Sequence, residues 1–345
     1  MQDVEFKTSV NVMLTDNVWF TLCTSYINFR HVHEQQRRPG LSVYIPVTFP
    51  FYDSTNYLRS SLFMASLRWA AWALLWVSSV LAVSVPNPNN NFTCQPTQIN
   101  SNPIVLLHGL GATYYEDLNE LESWLKGQGF CTFSLTYGSY LGFPWVGGLM
   151  AIADSAPEIA ALIQQVSKSA TGAGKKVNLI GHSEGAFMAL YVPKFNQVAN
   201  LISTIISIAP PTHGTSFFQL FTVADLLNST SRAIVQTVVN LVGCSACNDL
   251  GVKGPAVLKL DNGPIVQPGN KVTVIASEDD TFVTPADNPF VQETGVTNLW
   301  VQSLCPNDPV GHIGEAYDQT VWNMVYNALN GNAGAQVQCS EGIPT

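Results

Sequence analysis

One stretch decides how the chain is read: Lys176-Val177-Asn178-Leu179-Ile180-Gly181-His182-Ser183-Glu184-Gly185-Ala186-Phe187-Met188-Ala189-Leu190. It opens as a β-type run over 177–180, turns sharply through Gly181-His182-Ser183-Glu184-Gly185, and continues as small and apolar residues with helical character. This is the strand–turn–helix setting that a G-x-S-x-G nucleophile elbow requires. The turn is so tight that side chains two positions either side of Ser183 would collide with the strand and helix, so Gly181 and Gly185 leave the space. Ser183 then stands at a helix N-terminus, where partial positive charge favours an oxyanion. The plain alternative is a Gly-rich connection without chemistry. What separates the two is whether the rest of the chain supplies partners for the serine.

Working outward, short apolar runs alternate with helical patterns. Residues 104–107 form an all-apolar run of the buried parallel-strand kind, followed by a loop, His108-Gly109-Leu110-Gly111-Ala112. Helical spacing marks 118–125, and 130–135 is the next strand. A Gly- and aromatic-rich loop is expected at 137–148, and a long amphipathic helix at 151–169. After the elbow come strands at 201–208, 271–276 and 299–303, and a closing helix at 313–329. Residues 217–242 interrupt this rhythm with crowded apolar positions. They read equally as a surface helix pair or as a lid whose apolar face meets lipid. Strands alternating with helices imply a mostly parallel central sheet with helices on both faces. Ligands then bind at the carboxyl ends of the strands, where Ser183 and His108 both sit.

The N-terminal side carries a second message. From Met64, a short positive region through Arg68 precedes an apolar run at 69–81, and Ala82-Val83-Ser84 has small residues at the −3 and −1 positions of a cleavage site. This is the pattern of a secretory signal peptide over 64–84. A signal anchor is the alternative, but the run is near the short limit for spanning a bilayer. Residues 1–63 show no sustained period and are read as an extension, disordered or absent from the mature protein. The working domain is then 85–345, beginning with an irregular lead-in to 103 and carrying a cap at about 213–262. Secretion predicts disulfides. Of the seven cysteines, Cys23 lies in the extension, leaving the even set Cys94, Cys131, Cys244, Cys247, Cys305 and Cys339. Cys244-Ser245-Ala246-Cys247 lacks the context of a redox or zinc motif and reads as a local disulfide. Asn91 and Asn228 open glycosylation sequons. A net charge of −9 and no basic patch argue against nucleic acid as a partner.

A serine hydroxyl needs a base within reach and a third group to orient that base. In α/β-hydrolases the order along the chain is serine, acid, histidine. His31 and His33 lie in the extension, and His108 and His182 precede Ser183. His213 follows it too closely to leave room for an acid-bearing strand. His312, in a loop before the last helix, remains. The acid should follow the strand at 271–276, where Glu278, Asp279 and Asp280 stand. Adjacent side chains diverge, so Asp279 and Asp280 cannot both point at one imidazole, and spacing does not choose between them. Asp287 and Asp308 are weaker competitors. The oxyanion donors should be the backbone N–H groups of Leu110 and Glu184.

Several further stretches accompany these residues: Asn102-Pro103-Ile104-Val105-Leu106-Leu107-His108-Gly109, Gly129-Phe130-Cys131-Thr132-Phe133-Ser134-Leu135-Thr136-Tyr137-Gly138, Ser155-Ala156-Pro157-Glu158-Ile159, Ile208-Ala209-Pro210-Pro211-Thr212-His213-Gly214-Thr215, Asp280-Thr281-Phe282-Val283-Thr284-Pro285 and Cys305-Pro306-Asn307-Asp308. With them the chain, over about 94–339, resembles the secreted class 2 triacylglycerol lipases of the α/β-hydrolase superfamily. The resemblance implies Asp280 as the acid, His312 as the base, and the pairs Cys94–Cys131, Cys244–Cys247 and Cys305–Cys339. It also implies a secreted, extracellular, monomeric lipase acting on lipid esters at an oil–water interface, with no metal and no cofactor. Alternatives to set against it are a short-chain carboxylesterase, an acyltransferase, or a non-catalytic secreted effector on a hydrolase scaffold. One departure stands out. Many relatives have Gln after the nucleophile, where this chain has Glu184, and a carboxylate there would oppose a developing oxyanion.

Overall fold

A computed structural model describes residues 8–15, 18–24, 82–97, 101–216 and 243–345, with side chains from Ser84 onward. Most of the expected signal segment, the 217–242 part of the expected cap, and Asn228 lie outside the described residues. The chain divides into two units, Met1–Ala65 and Ser66–Thr345. In the first, β1 (Thr8–Thr15) and β2 (Val18–Thr24) pair antiparallel, with Thr15 opposite Val18. The sequence reading found no strand period here. It is present only briefly, as Val10, Val12 and Leu14, then Val18, Phe20 and Leu22.

The second unit is built on a seven-stranded sheet. In chain order its elements are β3 (Ala82–Pro86), β4 (Ile104–Leu107), α1 (Asn119–Gly127), β5 (Thr132–Tyr140), α2 (Ile152–Lys168), β6 (Val177–His182), α3 (Glu184–Phe195) and β7 (Ile202–Ile208). Then come α4 (Ser245–Asp249), α5 (Pro255–Asp261), β8 (Lys271–Ala276), β9 (Val296–Trp300), α6 (Val301–Leu304) and α7 (Gln319–Leu329). The order across the sheet is β3-β5-β4-β6-β7-β8-β9; β3 runs antiparallel to β5 and every other pairing is parallel. Parallel strands buried on both faces explain the continuous apolar runs. Alternate residues of each run go to opposite faces. Val105, Leu107, Leu179 and Val274 join the apolar layer under α2 and α3, whereas Ile104, Leu106, Ile180 and Ile275 join the layer under α1 and α7.

Three expectations shift. β5 continues to Tyr140, into what the sequence presents as loop, because its outer half pairs with β3. The apolar run at 299–303 is a strand only to Trp300 and then turns helical. The closing helix is broken: a 3₁₀ turn spans Gly314–Ala316, and α7 starts afresh at Gln319. There Asp318 caps it, accepting the N–H groups of Thr320 and Val321 at 3.2 and 3.3 Å. The lead-in is partly ordered as well. Val85 and Pro86 lie in β3, and Asn90 exchanges hydrogen bonds with the Ser134 backbone at 2.9 and 3.0 Å. Cys94–Cys131 ties it to β5, and Cys244–Cys247 and Cys305–Cys339 complete three disulfides. Closing a loop of the first one's span restricts the unfolded chain by about 4 kcal/mol on the chain-entropy account.

Candidate active site

The turn between β6 and α3 is as tight as its glycines imply. A Cβ on Gly181 would stand 2.2 Å from the Gly185 carbonyl oxygen, and one on Gly185 would stand 2.0 Å from that of Leu107. Both obstacles are backbone, so neither yields. Ser183 itself adopts φ 54°, ψ −120°, a conformation that L-residues avoid and that persists only where the surroundings enforce it. Its own N–H is anchored to the Ile208 carbonyl of the neighbouring strand at 2.9 Å.

The loops after β8 and α6 bring two more groups to this turn. His312 Nε2 lies 2.9 Å from Ser183 Oγ, and His312 Nδ1 lies 2.8 Å from Asp280 Oδ2. The other oxygen of Asp280 accepts the N–H groups of Phe282 and Val283 at 2.7 and 3.0 Å. Burial alone would raise the Asp280 carboxyl, but the adjacent His312 and these bonds hold it below the usual carboxylate range. The structure separates the candidates that spacing left together: Asp280 is buried against the imidazole, whereas Asp279 and Glu278 face solvent. Asp287 is exposed, and Asp308 serves the C-terminal segment by accepting from Val310 and Gly342. His213 pairs with Asp261 at 2.8 Å instead.

On the other side of Ser183 sit Leu110 and Glu184. Among the described residues neither backbone N–H donates to a protein acceptor. The Glu184 side chain is fully buried, and among the described residues neither carboxyl oxygen meets a hydrogen-bond donor. It packs over bare backbone: a Cβ on Gly148 would lie 2.6 Å from Glu184 Oε2 and 3.2 Å from Leu110 Cα. Burial, reinforced by Asp249, pushes this carboxyl well above the usual range. An unsolvated, unpaired carboxylate is too costly to sustain, so the group is held neutral. Neutral Glu184 has the shape of the Gln that the resemblance leads one to expect.

Three participants escaped sequence reasoning. His182 Nδ1 lies 2.7 Å from Asp117 Oδ1, and His182 Nε2 lies 2.9 Å from the His312 carbonyl oxygen. Asp117, at φ 77°, also accepts the Gly109 N–H at 2.6 Å. Glu315 is fully buried, with one carboxyl oxygen within 4.8 Å of ring nitrogens of both His182 and His312. Those nitrogens are already engaged by Asp117, Asp280, Ser183 and a carbonyl, so the trio does not form a metal cage. Burial, then Asp280, push the Glu315 carboxyl well up. His182 was the most visible of the three, since it touches the nucleophile in sequence. The chain-order rule asks only where the base lies and passes over it.

A Ser–His–Asp chain of hydrogen bonds at a strand-to-helix elbow of a mostly parallel sheet is the arrangement of the α/β-hydrolase class. A family model for lipase (class 2) matches residues 101–299, and the chain belongs to that family of carboxylic ester hydrolases. A search of curated proteins finds no match. Among solved structures, lipase B of Aspergillus fumigatus is similar at TM-score 0.52 and 16% identity, over 76% of this chain. This chain spans only 57% of that protein's length. A soluble variant of the monoglyceride lipase of Saccharomyces cerevisiae aligns at TM-score 0.49 and 17% identity, covering 74% of this chain and 92% of that one. At 16% identity the likeness to the first of these is one of fold.

Proposed function

We propose that this chain hydrolyses carboxylic esters of lipids, triacylglycerols among them, with Ser183 as nucleophile, His312 as base and Asp280 as its orienting acid. The observation that carries the reading is the unbroken series Ser183 Oγ–His312 Nε2 at 2.9 Å and His312 Nδ1–Asp280 at 2.8 Å, mounted on a serine with a strained backbone. Ser183 Oγ attacks the ester carbonyl as its proton passes to His312 Nε2. The tetrahedral oxyanion rests on the N–H groups of Leu110 and Glu184. Collapse breaks the bond to the alcohol, which leaves with the proton from His312. Water, deprotonated by His312, then cleaves the acyl-enzyme and restores Ser183. A neutral Glu184 puts no charge against the oxyanion. A cavity of about 450 Å³ lined by Gly111, Tyr114, Tyr115, Trp145 and Val146 adjoins the Leu110 loop and offers an apolar place for substrate.

We further infer a secreted enzyme comprising 85–345, glycosylated at Asn91 and Asn228. Three disulfides and an exposed Asn91 support this. Cleavage after Ser84 leaves Val85 and Pro86 to pair with β5, and N-terminal sequencing of the secreted protein tests it. For the chemistry, Ser183→Ala is assayed on emulsified triacylglycerol and on a short soluble ester. The expected loss is about 10⁶-fold in kcat. Activity within tenfold of wild type removes the mechanism, and a strong preference for the short ester replaces the lipase with an esterase.

A further inference from the structure

Two buried histidines flank the site, and their surroundings assign them different protonation states. His108 Nε2 accepts the Tyr137 N–H at 3.2 Å, so its Nδ1–H is left to donate to the Gly109 carbonyl at 2.8 Å. One donor and one acceptor suit a neutral imidazole. His182 meets acceptors on both sides: the Asp117 carboxylate at 2.7 Å and the His312 carbonyl at 2.9 Å. A carbonyl has no proton to give, so Nε2 carries one, and the carboxylate requires another on Nδ1. Asp117 cannot turn away, because its second oxygen holds the Gly109 N–H at 2.6 Å and its own N–H bonds Tyr317 Oη at 3.0 Å. The result is a buried ion pair with three outward bonds, to the oxyanion loop at Gly109, to Tyr317 in the loop before α7 and to the backbone of the base His312, and with His182 itself directly preceding Ser183 in the chain.

We propose that Asp117 and protonated His182 form a charged clamp that fixes the oxyanion loop and the His312 loop in register, and that turnover fails when His182 loses its second proton. This rests on the reading of Ser183, His312 and Asp280 as the catalytic set. Asp117 and His182 touch no substrate; they are positioning residues. The titratable groups facing His182 are Asp117 from the loop before α1, His312 from the base loop, Asp280 from the loop after β8 and Glu315 from the 3₁₀ turn. His108 and Tyr317 face Asp117. Burial opposes the charge on His182, but Asp117, its hydrogen bond, the His312 carbonyl and Asp280 outweigh it and raise the imidazolium's pKa. The same pairing lowers Asp117. A cation held above its ordinary range keeps its proton through that range and releases it only as pH rises through the elevated value. When it does, one of the two bonds breaks, and the link to the His312 carbonyl is the uncharged, weaker one.

The test joins histidine ring-nitrogen NMR of the full chain to kinetics on a short soluble ester, for wild type and Asp117→Asn. In wild type both His182 nitrogens should be protonated at pH 7, and kcat should fall on the alkaline side over the range in which His182 titrates. Asp117→Asn should move both events to lower pH by about one unit or more. It should also cut kcat at neutral pH by roughly ten- to a hundredfold with little change in KM. A role confined to folding would move the melting temperature and leave the kcat–pH profile in place, and that outcome overturns the proposal. So does a neutral His182 in wild type, a measurement that needs no variant. Failure of a fluorophosphonate to label Ser183 of the wild type instead overturns the catalytic reading, and the turnover half of the clamp with it.

Discussion

The two neighbours of Ser183 solve the same electrostatic problem in opposite ways. On the His182 side the buried ionisable groups pair: Asp117 with His182 at 2.7 Å, and Asp280 with His312 at 2.8 Å. On the Glu184 side, among the described residues, nothing pairs. Glu184 lies against Gly148 with both oxygens unbonded. Charge is costly in a dry interior unless it is compensated, and the two remedies are a partner or a proton. The division matches the chemistry proposed for each side. In that mechanism the base side steadies a transient imidazolium, which fixed carboxylates favour, and the oxyanion side receives a negative charge, which a neutral carboxyl does not oppose. Glu315 is the exception on the paired side, a third buried carboxyl pushed well above its usual range by burial and then by Asp280.

The strongest way to break the paired side is Asp280→Asn. The amide keeps the size but cannot hold the His312 tautomer or balance its charge. A fall of about 10⁴ in kcat is expected, with KM nearly unchanged, from steady-state kinetics on a soluble ester. A fall below tenfold would mean that the Asp280–His312 contact is structural, and the distinction between the two sides would lose its functional meaning.

How much of this was legible in the chain varies with distance along it. The elbow was fully legible, because its strand, glycines and helix are contiguous. His312 was reachable by elimination, since chain order is a topological rule that survives ignorance of coordinates. Asp280 against Asp279 was not decided by the residues alone: they are neighbours, and only the fold shows which one meets the Phe282 and Val283 N–H groups. Asp117 was invisible, because its partner lies 65 residues away and no motif surrounds it. The break before α7 was missed for a local reason: apolar spacing runs through 313–329, and the capping role of Asp318 outweighs it. The N–H requirements of a helix start are as specific as hydrophobic period, but one residue carries them.

The unpaired side breaks through stability rather than rate. Above the ordinary glutamate range, the unfolded chain releases the Glu184 proton while the folded chain keeps it. The folded state then binds more protons, so stability falls as pH rises, by about 1.4 kcal/mol per pH unit, until the raised native value is reached. Glu184→Gln removes this dependence. Urea unfolding between pH 5 and 8 should show the slope reduced by about one proton's worth, with the contribution of Glu315 remaining. Because the side chain is already neutral, kcat should stay within about twofold. An unchanged slope, or a large gain in kcat, would show that Glu184 is ionised in the folded enzyme, and the two sides would then not differ in kind.

The smallest expected effect asks whether the paired side works through particular bonds or through general negative potential. Asp279 is the test, because it is adjacent to Asp280, carries the same charge and faces water. Its backbone N–H bonds Ser277 Oγ at 3.1 Å, an interaction a side-chain change leaves alone. Exposed charges are screened over about 8 to 10 Å at ordinary ionic strength. Asp279→Asn should therefore shift stability by less than about 0.5 kcal/mol and leave the kcat–pH profile in place. If instead it lowered kcat as Asp280→Asn does, His312 would be sensing the summed field of the loop. The pairing would then be one contribution among several, and Glu278 would have to be counted alongside it.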